Sequence, residues 1–294
     1  MELIRLIRYH DATEDMSSDP TIEFLAELAE ARLLMAEAMR PIATMMEQIA
    51  ENIRRQTPEI NEIISRTLEP FRVIVLEIAA AQRQSELLNE AGWLPHVTTP
   101  FHLIEECAGN TVRLSESIES YYKENWSQIR ADLIARIETY KINEEAKSTF
   151  REALMAHEQG FYRAVCRLVL PEIERVARIE LHNGALGNVT AASGKPTSVP
   201  AHLQEIVGDQ LSLSEMEPRG VFGLALFRRF REHLYAQVRD QVQLRRVEAD
   251  AIPNRHAAVH GLVVYSSIKN SLNSLFMTDY VFQMISNLLK NQEA

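Results

Sequence analysis

The chain has 294 residues, 46% of them hydrophobic and 24% charged, a globular composition that excludes a disordered, collagenous or disulfide-scaffold protein. Its ten glycines and eleven prolines fall below the usual combined share of about 12%, which favours long helices over strands and tight turns. The net charge of −10 argues against a protein that coats nucleic acid generally.

Cys107 and Cys166 form no CxxC pair, so neither a zinc ribbon nor a redox motif is available, and two free thiols fit a reducing cytoplasm. The N-terminus MELIRLIRYH has no signal-peptide apolar core. The longest clean apolar run, residues 221–227, is far short of the roughly 20 residues a membrane span needs. A soluble cytoplasmic protein is expected, with no membrane partner.

Taken in chain order, the apolar residues of 21–56 recur at three and four, from Phe24 and Leu25 to Ile49 and Ile53, and predict a helix. Asp19-Pro20 starts it, and Pro41 kinks or splits it. Thr57-Pro58 and Glu69-Pro70 mark further breaks. Residues 71–88 predict a buried helix that becomes polar at its end. AGWLPHVTTP (91–100) is the clearest break, and a soft boundary is placed at about 110. Ile118 through Ile137 predict a helical stretch, Asn143-Glu144-Glu145 caps the next helix, and 161–181 predicts another with Pro171 inside. Residues 183–200, rich in Gly, Ser, Thr and Pro, predict a surface loop or flexible segment. A short helical piece near 200–216, a long helix over 219–249 and a last helix over 269–290 complete the chain. No strand is predicted. The fold class is all-α, a multi-helix bundle with an N-terminal helical region (1–110) and a C-terminal helical domain (111–294).

One segment carries chemistry: Pro253-Asn254-Arg255-His256-Ala257-Ala258-Val259-His260-Gly261. Asn254 is an N-cap and Gly261 a helix stop. His256 and His260 share a face at i and i+4. Three readings are open. A zinc site through HAAVH lacks the glutamate that zincins carry after the first histidine, since Ala257 stands there. A structural role would pair the histidine and arginine within the bundle. Acid–base chemistry on a phosphodiester would use a histidine near neutral pKa and an arginine against the charge growing on phosphorus, with no metal or cofactor.

Arg255-x4-His260 resembles the R-x4–6-H motif of HEPN domains. His256 fits the polar residue that tends to follow the arginine. NRHAAVHG, then Tyr265 and Asn270-Ser271 before a final apolar helix, is similar to the Apea-like HEPN group of bacterial proteins. HEQGFYRAVCRLVLPEIERVAR (157–178) resembles an earlier helical segment of such proteins, with Tyr162 and Glu174 in characteristic places. The resemblance spans roughly 143–294. It implies a helical domain that dimerises and brings two Arg/His pairs together, and a metal-independent endoribonuclease in bacterial defence or stress response. His260 would be the acid–base group, Arg255 the phosphate clamp, and Asn254 and His256 supporting residues. It equally allows a catalytically silent assembly module that binds a protein, such as an antitoxin, or a nucleic acid.

Residues 219–246 hold seven arginines against Glu232 and Asp240. On one continuous helix, Arg228, Tyr235, Arg239 and Arg246 fall within about 40° of one another. This stripe would track RNA phosphates toward Arg255 and His260, with Tyr235 free to stack a base. The plain alternative is a solvated face whose arginines pair with acids elsewhere.

Overall fold

The computed structural model describes residues 76–185, 187–190, 196–210 and 218–291, together with Met45 and Gln48, which are helical. The chain divides into two compact units, Met1–Arg72 and Val73–Ala294. The expected helix over 21–56 and the breaks at Thr57-Pro58 and Glu69-Pro70 otherwise lie outside the described residues.

The second unit is an all-α bundle. Its first described helix, α1, covers 76–90 and is followed by the expected irregular segment 91–100. Then come α2 (His102–Glu106), α3 (Thr111–Glu124), α4 (Trp126–Glu138), α5 (Glu144–Glu158) and α6 (Tyr162–His182). The soft boundary near 110 falls inside this unit. The stretch from Ile118 to Ile137 is two helices rather than one, because Asn125 leaves helical geometry and its side-chain amide donates to the Tyr121 carbonyl at 2.8 Å. Asn143 caps α5 as expected, accepting from the Ala146 N–H at 3.0 Å.

The segment after α6 is not strand-free. Val189–Thr190 (β1) and Pro196–Thr197 (β2) pair antiparallel, Val189 against Thr197. Each strand is two residues long, too short for an alternating pattern to register. Val189 is buried and pins the hairpin to the body. Next come α7 (Val199–Gln210) and α8 (Pro218–Arg229), a π turn over Phe230–Leu234, then α9 (Gln241–Ala249), the single-turn α10 (Arg255–Val259) and α11 (Ile268–Asn291). No described helix is long and apolar enough to cross a membrane.

The long helix expected over 219–249 is therefore broken, and its break has two local causes. Asp240 caps α9, its carboxylate accepting from the N–H groups of Val242 and Gln243 at 2.9 and 2.8 Å. Asn254 Nδ2 donates to the carbonyls of His233 and Ala236, at 2.6 and 2.9 Å, which draws those carbonyls out of an α-helical ladder. Of Phe227, Phe230, Leu234 and Val238, which a continuous helical period would turn to the core, the first three are buried and Val238, in the break, is half-buried.

The centre of the bundle is α11. Every residue from Ser271 to Phe282 is buried, so this stretch has no solvent face and must satisfy its polar groups inside. It packs against α4, α5 and α6. α6 turns Val165, Cys166, Val169, Leu170, Ile173, Val176 and Ala177 inward. It continues through Pro171, which removes one i→i−4 hydrogen bond, that to the Arg167 carbonyl.

The polar groups of α11 tie the irregular segment 91–100 to the core. Asn273 Oδ1 accepts from the Leu94 N–H at 3.0 Å, and its Nδ2 donates to the Gly92 carbonyl at 2.9 Å. Asp279, 1% exposed, accepts from Arg136 Nη2 at 2.7 Å, from the Tyr140 hydroxyl at 2.9 Å and pairs with His96 Nε2 at 3.1 Å. Burial alone would raise the Asp279 pKa. The hydrogen bonds and charges of His96 and Arg136 outweigh it and hold the carboxyl below the usual carboxylate range. The His96 ring stacks on Phe276 with centroids 4.4 Å apart. Trp93 and Trp126 are packing anchors: Trp93 is 1% exposed, and Trp126 lies 4.2 Å from the His157 ring.

Candidate functional site

The R-x4-H segment forms α10 and its flanks. Asn254 caps it, Oδ1 accepting from the Ala257 N–H at 2.8 Å. Gly261 stops it at a φ of +70°, a left-handed geometry that suits glycine. Asn254 does more than cap. It is fully buried, its N–H donates to the Tyr265 hydroxyl at 3.1 Å, and that hydroxyl donates to the Val247 carbonyl at 3.2 Å. With its bonds to His233 and Ala236, Asn254 fixes α10 against the end of the π turn and α9.

Arg255 opens α10 and leans toward α6. Its Nη2 donates to Glu174 Oε2 at 2.9 Å, both side chains being about three-quarters buried. Glu174 Oε1 also accepts from Arg178 at 3.2 Å, so one carboxylate serves two guanidinium groups. Arg255 Nε and the Tyr235 hydroxyl are enclosed, and neither makes a hydrogen bond among the described residues. Burial first, then the nearby Glu174, raises the Tyr235 pKa.

His260 closes α10 and is exposed, while His256 is partly covered. Their rings are 4.6 Å apart and tilted by 54°. Burial, then the neighbouring His260 and Arg255, holds the His256 pKa below the ordinary imidazole value. Among the described residues no three of His, Cys, Asp or Glu group as metal ligands.

The stripe expected from Arg228, Tyr235, Arg239 and Arg246 does not form, because these residues occupy three different segments. Arg228, on α8, is exposed and pairs with Glu232 at 3.0 Å. Arg239, in the break, is exposed and binds the Gln237 amide oxygen at 2.8 and 2.9 Å. Arg246 is exposed on α9. Tyr235 turns its hydroxyl inward and sets its ring edge-on to Phe230 at 5.7 Å. It is not a free stacking platform.

The structure brings a different set of side chains to α10. On α6, Arg163, Arg167, Glu174 and Arg178 fall within about 60° at 100° per residue. Glu174 meets Arg255. Arg167 Nη2 lies 3.9 Å from where a Cβ on Gly261 would stand, beside the residue that follows His260. A cavity of about 850 Å³ lies along Phe161, Tyr162, Arg163, Arg167, Val264 and Ser266. The i, i+4 spacing of Arg163 and Arg167 within a helical pattern was the available signal, but nothing local links them to a segment some 90 residues on.

Cys166, beside this cavity, is a buried free thiol whose pKa burial pushes up to about 11. It is protonated and inert at neutral pH. No protein-family model, curated protein or solved structure matches the chain.

Proposed function

We propose that the chain is a metal-independent endoribonuclease of the HEPN type, acting as a homodimer in the cytoplasm in bacterial defence or stress response. The observation that carries the reading is the exposed His260 at the end of a one-turn helix whose first residue, Arg255, is held toward the same neighbouring helix that carries Arg163 and Arg167. An exposed imidazole next to arginine is the minimum equipment for moving a proton at a phosphodiester.

In this mechanism His260 accepts the proton of an RNA 2′-hydroxyl. The O2′–P bond forms and the P–O5′ bond breaks. The leaving 5′-oxygen takes a proton from an imidazolium, here the second copy's equivalent of His260. The products are a 2′,3′-cyclic phosphate and a 5′-hydroxyl. Arg255 donates to the non-bridging phosphate oxygens as charge grows there. Glu174 holds the Arg255 fork in one orientation until substrate competes for it.

A second reading has its own observation. The Glu174 carboxylate already neutralises Arg255 at 2.9 Å, as in a module that uses this segment only for assembly with a protein partner, such as an antitoxin, or with nucleic acid. The readings part on one experiment: RNA cleavage by purified protein in EDTA, wild type against His260→Ala. Product from wild type alone supports the nuclease. A shifted RNA band without product in either supports the binding module.

A further inference from the structure

We infer that the cavity between the start of α6 and residues 261–266 binds the backbone of a single-stranded RNA, with Arg163 and Arg167 clamping phosphate and Phe161 offering a face for a base. The inference deepens the ribonuclease reading and rests on it for the identity of the strand. It assigns the nucleotides that flank the cleaved bond to a surface outside the Arg/His motif.

Many arginines of the bundle pair with a carboxylate, among them Arg130, Arg136, Arg151, Arg175, Arg178, Arg228, Arg229 and Arg255. Arg163 and Arg167 are exposed and make no hydrogen bond or ion pair among the described residues. They stand four apart on one helix, an arrangement of like charges that weakens a helix. In a chain with 41 acidic residues against 31 basic ones, partners were plentiful, yet among the described residues no aspartate or glutamate lines this cavity or the narrow crevice that continues it. An unneutralised pair of guanidinium forks in a hollow fits a phosphate, which each can engage through two N–H donors.

The cavity, about 850 Å³, is within the size range of ligand sites. Phe161, 63% exposed, and Val264, 59% exposed, give it apolar walls, unusual for side chains at the mouth of a basic hollow and suited to the flat face of a base. The crevice reaches Ala258 and Tyr265 past the same two arginines, and Arg167 approaches Gly261, next to His260. A strand lying along Phe161, Arg163 and Arg167 therefore runs toward the imidazole.

The test is fluorescence anisotropy of a labelled 12-nucleotide 2′-O-methyl RNA, which binds but cannot be cut because its 2′-oxygen carries no proton. The full chain is used. Arg163→Glu with Arg167→Glu should weaken binding at least tenfold. The slope of log affinity against log salt should become shallower by about 1.4, the value for two released phosphate contacts on a single strand. Phe161→Ala should weaken binding about tenfold through lost stacking. All three positions are exposed, and an unchanged urea midpoint confirms that each variant is folded. Unchanged affinity in the double variant overturns the inference, as does absence of wild-type binding. Competition by AMP or by poly-glutamate as effective as by unlabelled oligonucleotide also overturns it, assigning the cavity to a free nucleotide or an acidic protein. A wild type that fails to cut the unmodified RNA, while the arginine variants still lose binding, removes the nuclease reading and leaves the strand site standing.

Discussion

Arg255 donates to Glu174 at 2.9 Å across 81 residues of chain, and this contact ties the motif helix α10 to α6. It makes Glu174 the positioning group for the proposed phosphate clamp. Glu174→Gln should lower RNA cleavage at least tenfold through kcat, with KM changed little. As a partly exposed pair, the contact should contribute about 1 kcal/mol to stability. Steady-state kinetics beside a urea titration checks both. Unchanged kcat with a normal fold would make the contact purely structural.

Asn254 illustrates a residue whose local and tertiary roles add. As an N-cap alone, its loss would cost about 1 kcal/mol. Here it also satisfies the carbonyls of His233 and Ala236 in a buried setting, and stranded buried acceptors cost about 1–3 kcal/mol each. Asn254→Ala should therefore destabilise by about 3 kcal/mol in urea. A loss near 1 kcal/mol would show that the carbonyls find other donors.

The Tyr235 hydroxyl is enclosed and has no hydrogen-bond partner among the described residues. Removing it strands nothing, so Tyr235→Phe should leave thermal stability equal or raise it. A drop in Tm would reveal a hydrogen bond that the geometry lacks.

Two buried groups weaken the fold in acid, over different pH windows. His157 is packed by Trp126 and Tyr162, with Nδ1 2.7 Å from Ser271 Oγ. Burial lowers its pKa from 6.5 to about 4. Above pH 6.5 the ring is neutral in both states. As pH falls from 6.5 toward 4 the unfolded chain takes up a proton and the folded chain does not, so stability declines, by about 3 kcal/mol at 1.36 kcal/mol per unit. His157→Phe should flatten the urea midpoint across that window; a slope unchanged from wild type would contradict the assignment. Asp279 acts lower down. Its folded pKa lies below 3.8, so its contribution is complete above 3.8 and disappears as pH falls through the folded value. Asp279→Asn should cost about 3 kcal/mol at pH 7, because Arg136 loses its buried counter-charge.

Much of this architecture was readable from local pattern. The caps at Asn143 and Asn254, the stop at Gly261, and the helices over 161–181 and 269–290 rest on signals within a few residues of themselves. The helix over 219–249 misled because its apolar period is continuous, while the break is made by Asn254 from 18 to 21 residues away and by the cap at Asp240, a local signal overridden by the period. Asp279 was hidden for a related reason. A carboxylate in an apolar helix has no visible partner until His96, Arg136 and Tyr140 fold onto it. In the candidate site, the sequence marked Arg255 and His260, and Glu174 by resemblance, but not their setting, since Glu174 meets Arg255 and Arg167 approaches Gly261 only through the packing of α6 on α10.

The central claim is tested most directly by incubating purified full-length protein with unmodified RNA in excess EDTA and resolving the product ends. The account predicts fragments with 2′,3′-cyclic phosphate and 5′-hydroxyl ends from wild type, and none from a folded His260→Ala variant. Intact RNA with wild type, or equal cleavage by wild type and His260→Ala, would contradict it.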